Sequence, residues 1–506
     1  MGRTIDAVNP ATGNKTASIE ASDKKEIEKR FKRSEKAFKE WKSLSIRERV
    51  SYLKNLRERI VEEADSIVEI VKRDTGKPDN EILMSDILAT LSLVEYYENK
   101  TGDILGRKKM KTPFEFYKNS SYVEYEPMGV VVVISPWNYP FQLSIVPAIT
   151  ALAAGNTVIL KPSEETPLTG EKIKDLIRLA GFPEGVFQVV QGDGEIGEHL
   201  INQGPDKVFF TGGSETGKKI MKHAAEQLIP VELELGGKDP AIVFEDADLD
   251  RTVKGIVYGS LANSGQLCVS TERVYVQESI KDEFIWKLKS EIRNVDVGDG
   301  RTDEMGPMIT EEQLEKVMEQ VDDAVMSGAE LHTDLERNGM FLKPQLVENV
   351  DHGMDLMVEE TFGPVIPVMS FKDEDEAVEL ANDSKYGLNA SVWTKDINKG
   401  KRVASKLETG NCYINDVVKN IGNPHLPFGG VKESGIGRYH GEEGLKSFVE
   451  PKSVMVNRNN NDEMNWFPYT EDMYSSLKDI IHAKHKDIGM IDRLKKLYST
   501  FKEISD

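Results

Sequence analysis

Residues 207–220, KVFFTGGSETGKKI, place a short apolar run directly before a glycine-rich turn and a helical stretch. Continuous apolar runs of this length are typical of parallel strands that are buried on both faces. Similar runs recur in GVVVVIS (129–135), NTVILKP (156–162) and VFQVVQG (186–192), with helical stretches between them. This alternation of strand and helix predicts a doubly wound α/β sheet.

A second series of the same kind begins with VELELGGKDPAIVF at residues 231–244. Its further strands are predicted in RVYVQ (273–277), ASVWT (390–394) and NCYIND (411–416). Residues 24–100 carry apolar side chains at three- and four-residue spacing, which predicts helices. A chain of 506 residues is too long for a single hydrophobic core. We therefore expect two α/β lobes with a cleft between them.

The composition disfavours several classes of function. A formal charge of −21 argues against nucleic acid and anionic membranes as partners. The N-terminal sequence lacks the apolar core of a secretory signal, and no apolar run approaches the roughly 18 residues of an integral membrane segment. Two cysteines cannot build a disulfide framework, which favours the cytoplasm. Neither a CxxC nor an HExxH pattern occurs, so no metal site is expected.

Three residues are candidates for catalysis. Cys268, in NSGQLCVS, could be a nucleophile, although a free cysteine is more often a small buried hydrophobe. Glu234 ends an apolar stretch and could be a general base with a raised pKa, although most glutamates are surface charges. Asn138, in SPWNYPF, could stabilise an oxyanion, while its neighbours Trp137 and Tyr139 could equally be core aromatics. Taken singly, each leaves the structural alternative open.

Two loops that follow apolar strands are candidates for ligand binding. Gly212, Gly213 and Ser214 stand where backbone N–H groups at a helix start can bind a phosphate. Their turn matches neither GxGxxG nor GxxxxGK[ST], and a plain turn explains it as well. Lys161 and Glu164 lie at the edge where open α/β sheets bind ligands. A carboxylate there can accept both hydroxyls of a ribose, while an ordinary charged loop is the alternative.

Seven motifs, taken together, resemble the NAD(P)-dependent aldehyde dehydrogenase superfamily in order and spacing: PWNYP, LKPSEETPLT, FTGGSETG, ELGGKDP, NSGQLCVS, EETFGPV and LPFGGVKESGIGR. The resemblance extends from about residue 5 to about residue 456. It implies that Cys268 is the nucleophile, Glu234 the general base and Asn138 the side chain of the oxyanion hole. The implied reaction oxidises an aldehyde through a thiohemiacetal and a thioester, which water then hydrolyses. Cys412 is then expected to be a strand residue in the core.

The resemblance also implies how a nicotinamide cofactor is held. Lys161 and Glu164 would contact the adenine-side ribose, and the pyrophosphate would lie at Gly212, Gly213 and Ser214. The contacts implied on the nicotinamide side come from Trp137, Glu360 and Phe362. Because the carboxylate of Glu164 would repel the 2′-phosphate of NADP, we expect NAD to be the preferred cofactor and NADP to be used more weakly.

The implied fold has two doubly wound α/β lobes and a β-strand arm. The NAD-binding domain is predicted at residues 1–108 and 128–235, and the catalytic domain at 236–447. The arm, at 109–127 and 448–458, would join subunits into a homodimer or homotetramer. No role is assigned to the tail, 459–506, in which a polar break precedes an amphipathic helical stretch, IDRLKKLYSTFKEI.

Three positions depart from the pattern of many members. Pro147 and Tyr439 stand where a lysine and a glutamate are usual, and Gly213 replaces a serine. A proton relay through a lysine–glutamate pair is therefore not expected. The departures, with YHG at 439–441, are more similar to the branch of fatty and aromatic aldehyde dehydrogenases.

The substrate is expected to be an aliphatic or aromatic aldehyde. Trp137, Tyr139 and Phe428 indicate an apolar tunnel, and no arginine stands out as an anchor for the carboxylate of a semialdehyde. A semialdehyde-specific enzyme and a CoA-acylating enzyme remain alternatives, although the latter typically lacks the base. A non-catalytic scaffold protein is the alternative from another class, and a missing nucleophile or base would favour it.

Overall fold

The computed structural model describes residues 3–113, 116, 118–463, 466–487, 489–491 and 495. The chain divides into two compact units. The first comprises the chain up to Gly106 together with Tyr125–Pro451, and the second comprises Arg107–Glu124 together with the chain from Lys452 onward. None of the helices in the described ranges is long and apolar enough to cross a membrane.

The N-terminal region is helical, as predicted, after a hairpin that the sequence pattern did not indicate. The side chain of Asp23 caps the first helix, and Ser45 and Glu48 form a capping box on the second. The helical stretch that begins at Ile46 breaks at Glu63 into two helices, the latter ending at the left-handed Gly76. The elements are β1 Thr4–Val8, β2 Lys15–Glu20, α1 Lys24–Trp41, α2 Ile46–Glu62, α3 Ala64–Thr75, α4 Asp79–Glu81, a π-helical turn Ile82–Leu88, α5 Ala89–Leu105, β3 Lys108–Met110 and β4 Asn119–Pro127.

The first sheet of the large unit is built from the predicted apolar runs. Its elements are β5 Val130–Ile134, α6 Gln142–Ala154, β6 Thr157–Lys161, α7 Pro167–Leu179, β7 Phe187–Val189, α8 Gly194–Ile201, β8 Lys207–Thr211, α9 Ser214–Ala225 and β9 Val231–Glu234. The strand pairs among β5–β9 are parallel, and every residue of β5, β6 and β8 is buried. The carboxyl ends of the strands therefore meet at one edge of the sheet.

The second sheet belongs to the same unit and has the strand order β12-β15-β16-β11-β10-β17-β18. All its pairs are parallel except β12 with β15. Its region contains β10 Asp239–Val243, α10 Leu249–Leu261, β11 Thr271–Gln277, α11 Lys281–Ile292, α12 Glu311–Met326, β12 Glu330–Leu331, β13 Arg337–Asn338, β14 Phe341–Leu342, β15 Gln345–Glu348, α13 Asp355–Val358, β16 Val365–Phe371, α14 Glu374–Asn382, β17 Ser391–Trp393, α15 Ile397–Ala404 and β18 Tyr413–Ile414. The two sheets confirm the doubly wound α/β class.

One strand from late in the chain returns to the first sheet. The last elements are β19 Gly435–Ile436, α16 Gly441–Lys446, β20 Val449–Asn457 and α17 Glu471–His485. β19 pairs antiparallel with β9 and places Gly435 opposite Glu234, giving the strand order β19-β9-β8-β5-β6-β7. The sequence pattern did not indicate this pairing.

The small unit contains most of the predicted arm. β20, β4 and β3 form a three-stranded sheet, in which β3 pairs antiparallel with β4. Thr470 caps α17 by accepting a hydrogen bond from the backbone N–H of Met473. The helical stretch predicted at 491–504 lies outside the described residues except for Ile491 and Lys495.

Candidate active site

Cys268 lies at the end of a strained loop between α10 and β11. Asn263 and Ser264 have φ angles of 51° and 57°, and Gly265 follows at 70°. Left-handed residues other than glycine are costly and persist only where the surroundings hold them. The hydroxyl of Ser264 donates to the carbonyl of Gly306 at 2.6 Å, and a Cβ on Gly265 would lie 2.1 Å from the carbonyl oxygen of Gly363. The loop therefore presents the half-buried thiol in a fixed position.

Asn138 is fixed against this loop. Its Nδ2 donates to the carbonyl of Gln266 at 3.0 Å, while Nδ2 of Asn263 donates to the backbone carbonyl of Asn138 at 3.1 Å. An amide carries two hydrogens, and among the residues that the structure describes Nδ2 of Asn138 has this one acceptor, so its second N–H is available beside the thiol loop. The structure thus brings Asn138 to the loop of Cys268.

Glu234 ends β9 with only 4% of its surface exposed. Within the described part of the chain, neither of its carboxylate oxygens has a hydrogen-bond partner. Burial raises its pKa well above the usual range, the charge of Glu232 adds to this effect, and Arg438 opposes it. Gly429 allows the carboxylate to approach the neighbouring backbone, since a Cβ there would lie 2.9 Å from Oε1 of Glu234.

The thiol of Cys268 is in an acidic environment. Burial raises its pKa, and the charges of Glu234, Asp239 and Glu360 raise it further, in that order. Glu234 is therefore close enough to Cys268 for a charge on its carboxylate to act on the thiol. In the isolated chain, the protonated thiol is the stable form at neutral pH.

The residues assigned to the nicotinamide side also come together. The rings of Trp137 and Phe362 meet edge to face, with centroids 5.5 Å apart and an interplanar angle of 86°. The Oε1 atom of Glu360 accepts a hydrogen bond from the backbone N–H of Gly237 at 3.0 Å. Burial and the charge of Glu272 raise the pKa of Glu360 to about 7.

The sequence analysis missed the ion pair between Lys238 and Glu272, which holds the loop at Thr361 and Phe362. Glu272, at the start of β11, accepts the backbone N–H groups of Thr361 at 2.8 Å and Phe362 at 2.7 Å. Nζ of Lys238 donates to the same carboxylate at 2.8 Å and to the hydroxyl of Thr361 at 2.8 Å. The φ angle of Phe362 is 53°, so the pair stabilises a conformation that the loop would not adopt alone. The available signal was a pair of charged residues at the start of each of two apolar stretches, Glu272–Arg273 in TERVYVQ and Lys238–Asp239 in GGKDPAIV.

The predicted phosphate turn opens onto the N-terminus of α9. Gly213 is the N-cap residue and is exposed, and a Cβ on it would meet no atom within 4 Å. The first N–H groups of a helix lack partners within the helix and suit a phosphate. The backbone N–H of Gly212 donates to the carbonyl of Glu234 at 3.0 Å, and the hydroxyl of Ser214 donates to the carbonyl of Glu433 at 3.1 Å. Ser214 therefore positions the turn with its side chain.

Lys161 and Glu164 lie at the same sheet edge as this turn. Nζ of the buried Lys161 donates to the carboxylate of Glu164 at 3.1 Å, and 39% of the Glu164 side chain is exposed. Because β6 and β8 flank β5 in parallel, the carboxylate and the phosphate turn face one cleft edge. The exposed carboxylate and the open helix start fit the ribose and the pyrophosphate of a dinucleotide.

Pro147 and Tyr439, which stand where many members have a lysine and a glutamate, are both packed in the protein interior. Pro147 is buried inside α6, and the ring of Tyr439 lies edge to face against Phe428, with centroids 5.6 Å apart. These positions form no lysine–glutamate pair. The prediction for Cys412 was wrong in detail, because this residue precedes β18 and is half-buried against the second core.

One group of possible metal ligands occurs in the described ranges, formed by Glu330, His332 and Glu348. Glu348 already pairs with Lys281 at 2.7 Å and with Nε2 of His332 at 2.6 Å. These partners occupy the carboxylate, and the group belongs to the second sheet, away from the Cys268 loop.

Comparison with known proteins agrees with the fold. The model of the aldehyde dehydrogenase family matches residues 1–454. The chain is 44% identical to the 4,4′-diapolycopene aldehyde oxidase of Methylomonas sp. over 97% of this chain and 93% of that protein. It is 39% identical to the betaine aldehyde dehydrogenase of Vibrio vulnificus strain CMCP6 over 90% and 94% of the two chains.

Two crystal structures that contain NAD+ are closely similar. The betaine aldehyde dehydrogenase of Staphylococcus aureus has a TM-score of 0.87 at 34% identity and covers 92% of this chain and 94% of its own. The aldehyde dehydrogenase of Mycobacterium tuberculosis has a TM-score of 0.87 at 32% identity, with 91% and 96% covered. The chain belongs to the aldehyde dehydrogenase family and is an NAD-dependent oxidoreductase that acts on aldehydes.

Proposed function

We propose that the chain converts an apolar aliphatic or aromatic aldehyde into its carboxylic acid by covalent catalysis at Cys268. The observation that carries this proposal is that the Asn138 amide donates to the loop of the half-buried Cys268, while the buried carboxylate of Glu234, whose charge acts on the thiol, has no hydrogen-bond partner among the described residues. These are the groups that attack, stabilise and hydrolyse an acyl carbon.

In the first step the thiolate sulfur of Cys268 bonds to the aldehyde carbon, and the carbonyl oxygen takes the negative charge. The free N–H of Asn138 and the backbone N–H of Cys268 hold this oxyanion. NAD, when bound, supplies the acceptor for the hydride that leaves the same carbon. Trp137 and Phe362 shield this part of the site from water, and Glu360 contributes to its charge. The product of this step is a thioester on Cys268.

Water then hydrolyses the thioester. The carboxylate of Glu234 accepts one proton from the water, whose oxygen bonds to the acyl carbon, and the carbon–sulfur bond breaks with its electron pair on sulfur. The pKa of Glu234 is raised by burial and by the charge of Glu232, and the ionised fraction of this base increases with pH. We therefore expect hydrolysis to accelerate as the pH rises.

Two alternatives are less well supported. A CoA-acylating enzyme would pass the acyl group to a thiol and would not need a base, whereas Glu234 is present and buried. A scaffold protein would have no reason to retain a strained nucleophile loop together with an unpartnered base. Hydrolysis to the acid is the outcome that uses all three residues.

The substrate class rests on the aromatic surroundings of Glu234 and Cys268. Phe428 and Tyr439 are buried beside the base, and Arg438 donates Nη1 to the carbonyls of Gly430 and Gly437. With its guanidinium engaged by the backbone, Arg438 is not an anchor for a substrate carboxylate. The relative named for the aldehyde of diapolycopene supports an apolar substrate, whereas the relatives named for betaine aldehyde would support a cationic one.

The test is a screen of NADH formation by the purified protein. Decanal, cinnamaldehyde, succinic semialdehyde and betaine aldehyde are compared by kcat/KM at equal NAD. We expect the first two to exceed the charged aldehydes by at least about tenfold, the equivalent of 1.4 kcal/mol in transition-state binding. A clear preference for succinic semialdehyde or betaine aldehyde would contradict the substrate class.

We further propose a homodimer or homotetramer in the cytoplasm. The sheet β20-β4-β3 ends in edge strands, which a partner subunit would cover. Both cysteines are free thiols, which suits a reducing compartment.

A further inference from the structure

Strand β9 carries a second buried acid close to the proposed base. Glu232 and Glu234 are two residues apart in β9, and their surfaces are only 1% and 4% exposed. Alternate residues of a strand point to the same face, so the two carboxylates extend from one side of the sheet, about 7 Å apart along the strand. Nothing in the proposed mechanism uses Glu232.

Glu232 is held in place by a cation and a hydroxyl. Nζ of the buried Lys207 forms an ion pair with its Oε2 at 2.8 Å, and the hydroxyl of Ser447 donates to the same oxygen at 2.6 Å. Lys207 also donates to the carbonyl of Ser447 at 2.8 Å and lies 4.7 Å from the ring centroid of Phe448. Burial raises the pKa of Glu232 above its usual range, and the contacts with Lys207 and Ser447 oppose this rise by favouring the ionised form.

The charges around the two acids differ. Glu232 interacts electrostatically with Lys207, Glu234, Tyr97 and Tyr439. Glu234 interacts with Glu232, Arg438, Cys268 and Tyr439. The cation beside Glu232 is in direct contact with it, and the carboxylate of Glu234 has no such contact within the described residues. Glu232 is therefore the acid whose negative charge is compensated by a direct cation contact, whereas a charge on Glu234 has no such compensation in the described part of the chain.

We propose that Glu232 is a positioning residue for the reaction, whose fixed charge controls when Glu234 ionises and thereby sets the pH at which the thioester is hydrolysed. The proposal rests on the role of Glu234 proposed above. Glu232 exchanges no proton during turnover. It acts on Glu234 by repulsion, and Lys207 and Ser447 keep its own charge in place.

The test compares wild-type protein with Glu232→Gln, which preserves the shape of the side chain and an oxygen for Ser447. Acyl-enzyme formed in a single turnover is quenched at intervals, and its decay rate is measured from pH 5 to pH 10. On the acidic side of the profile the decay rate rises with pH, and we call this part the acidic limb. Removing the like charge favours ionised Glu234, so we expect the acidic limb to shift to lower pH by roughly one unit. Below the limb, decay should then be up to about tenfold faster, with the high-pH rate within about twofold.

A second variant and a control separate this effect from structural damage. Ser447→Ala removes a donor that favours ionised Glu232, so the limb should move in the same direction by a smaller amount. Asp74→Asn neutralises another buried carboxylate, whose hydrogen bonds come from Thr169, and should leave the profile unchanged. The variant Ser447→Ala also keeps the proposal testable if Glu232→Gln does not fold.

The outcomes distinguish the two proposals. If Glu234→Gln retains the wild-type limb, the base is wrongly assigned. Glu234→Gln is expected to lose hydrolysis. If it does, but the decay rates of Glu232→Gln and Ser447→Ala follow the wild-type pH profile, or differ from it by the same factor at every pH, only the role of Glu232 is overturned. A downward shift of the limb in either variant, without one in Asp74→Asn, supports it.

Discussion

Replacing Glu272 by glutamine should damage both stability and cofactor binding, although the residue contacts neither Cys268 nor Glu234. Its carboxylate accepts three hydrogen bonds, from Nζ of Lys238 and from the backbone N–H groups of Thr361 and Phe362. Glutamine offers one acceptor oxygen, and its NH2 group would face a donor. The substitution also leaves the buried ammonium of Lys238 without its ion-pair partner.

Breaking a buried ion pair by removing one partner costs about 3–5 kcal/mol, chiefly because the remaining charge is uncompensated. With an unfolding entropy of about 2.1 cal/mol/K per residue, we expect the melting temperature of a unit of this size to fall by roughly 3–6 °C. The loop at Phe362 should also lose its left-handed conformation, so that Trp137 loses its aromatic contact. We expect the KM for NAD to rise by at least about tenfold, which corresponds to 1.4 kcal/mol.

The matched comparison is the double variant Glu272→Gln/Lys238→Met, which removes the stranded charge. Melting is followed by calorimetry, and KM is obtained from NAD titrations at a saturating aldehyde concentration. The double variant should melt above the single Glu272→Gln variant while retaining the raised KM, because the loop still lacks its carboxylate. A double variant that melts at or below the single one would refute the argument from uncompensated charge.

Three further predictions address the thiol, the cofactor and the assembly. Because the pKa of Cys268 is raised, the fraction of thiolate should still be growing between pH 7 and pH 9. The rate at which iodoacetamide alkylates Cys268 in the absence of NAD, measured by peptide mass spectrometry, should therefore increase about tenfold per pH unit over this range. A rate that reaches a plateau below pH 8 would contradict this. Wild-type protein should prefer NAD over NADP in kcat/KM by about one to two decades, since the carboxylate of Glu164 repels a phosphate, and Glu164→Ser should narrow the gap. Paired cofactor titrations that give equal efficiency would show that Glu164 does not face the ribose. Light scattering at micromolar concentration should give a dimer or tetramer, and a monomer would count against the role of β20, β4 and β3 as an interface.

Those parts of the fold and site that depend on local sequence were predictable. Strands β5, β6 and β8 are continuous apolar runs, and parallel strands covered by helices on both faces require such runs. The predicted phosphate turn at Gly212, Gly213 and Ser214 follows β8 directly in the chain, so its position at the edge of the sheet could be predicted from the sequence pattern. The candidate residues Cys268 and Glu234 lie in short motifs, which the family resemblance identified.

The features that the sequence did not indicate arise from contacts between distant segments. Lys238 and Glu272 are 34 residues apart and come together only because β10 and β11 are paired. β19 reaches Glu234 from the far end of the catalytic region. Glu232 resembles an ordinary surface charge until the sheet buries it beside Lys207 and Ser447. Each of these depends on tertiary packing, for which a single segment carries no signal.

The central claim is that Cys268 carries a thioester that water activated by Glu234 hydrolyses. Its most direct test is a rapid-quench experiment on Glu234→Gln with NAD and the best aldehyde of the screen, followed by mass spectrometry of the peptide that contains Cys268. We predict that Glu234→Gln forms about one equivalent of NADH per site in the first turnover and that an acyl adduct then persists on Cys268. Its steady-state turnover should fall by at least about a hundredfold, in line with the loss of a general base. Wild-type steady-state activity in Glu234→Gln, or a burst of NADH without any adduct on Cys268, would contradict the claim.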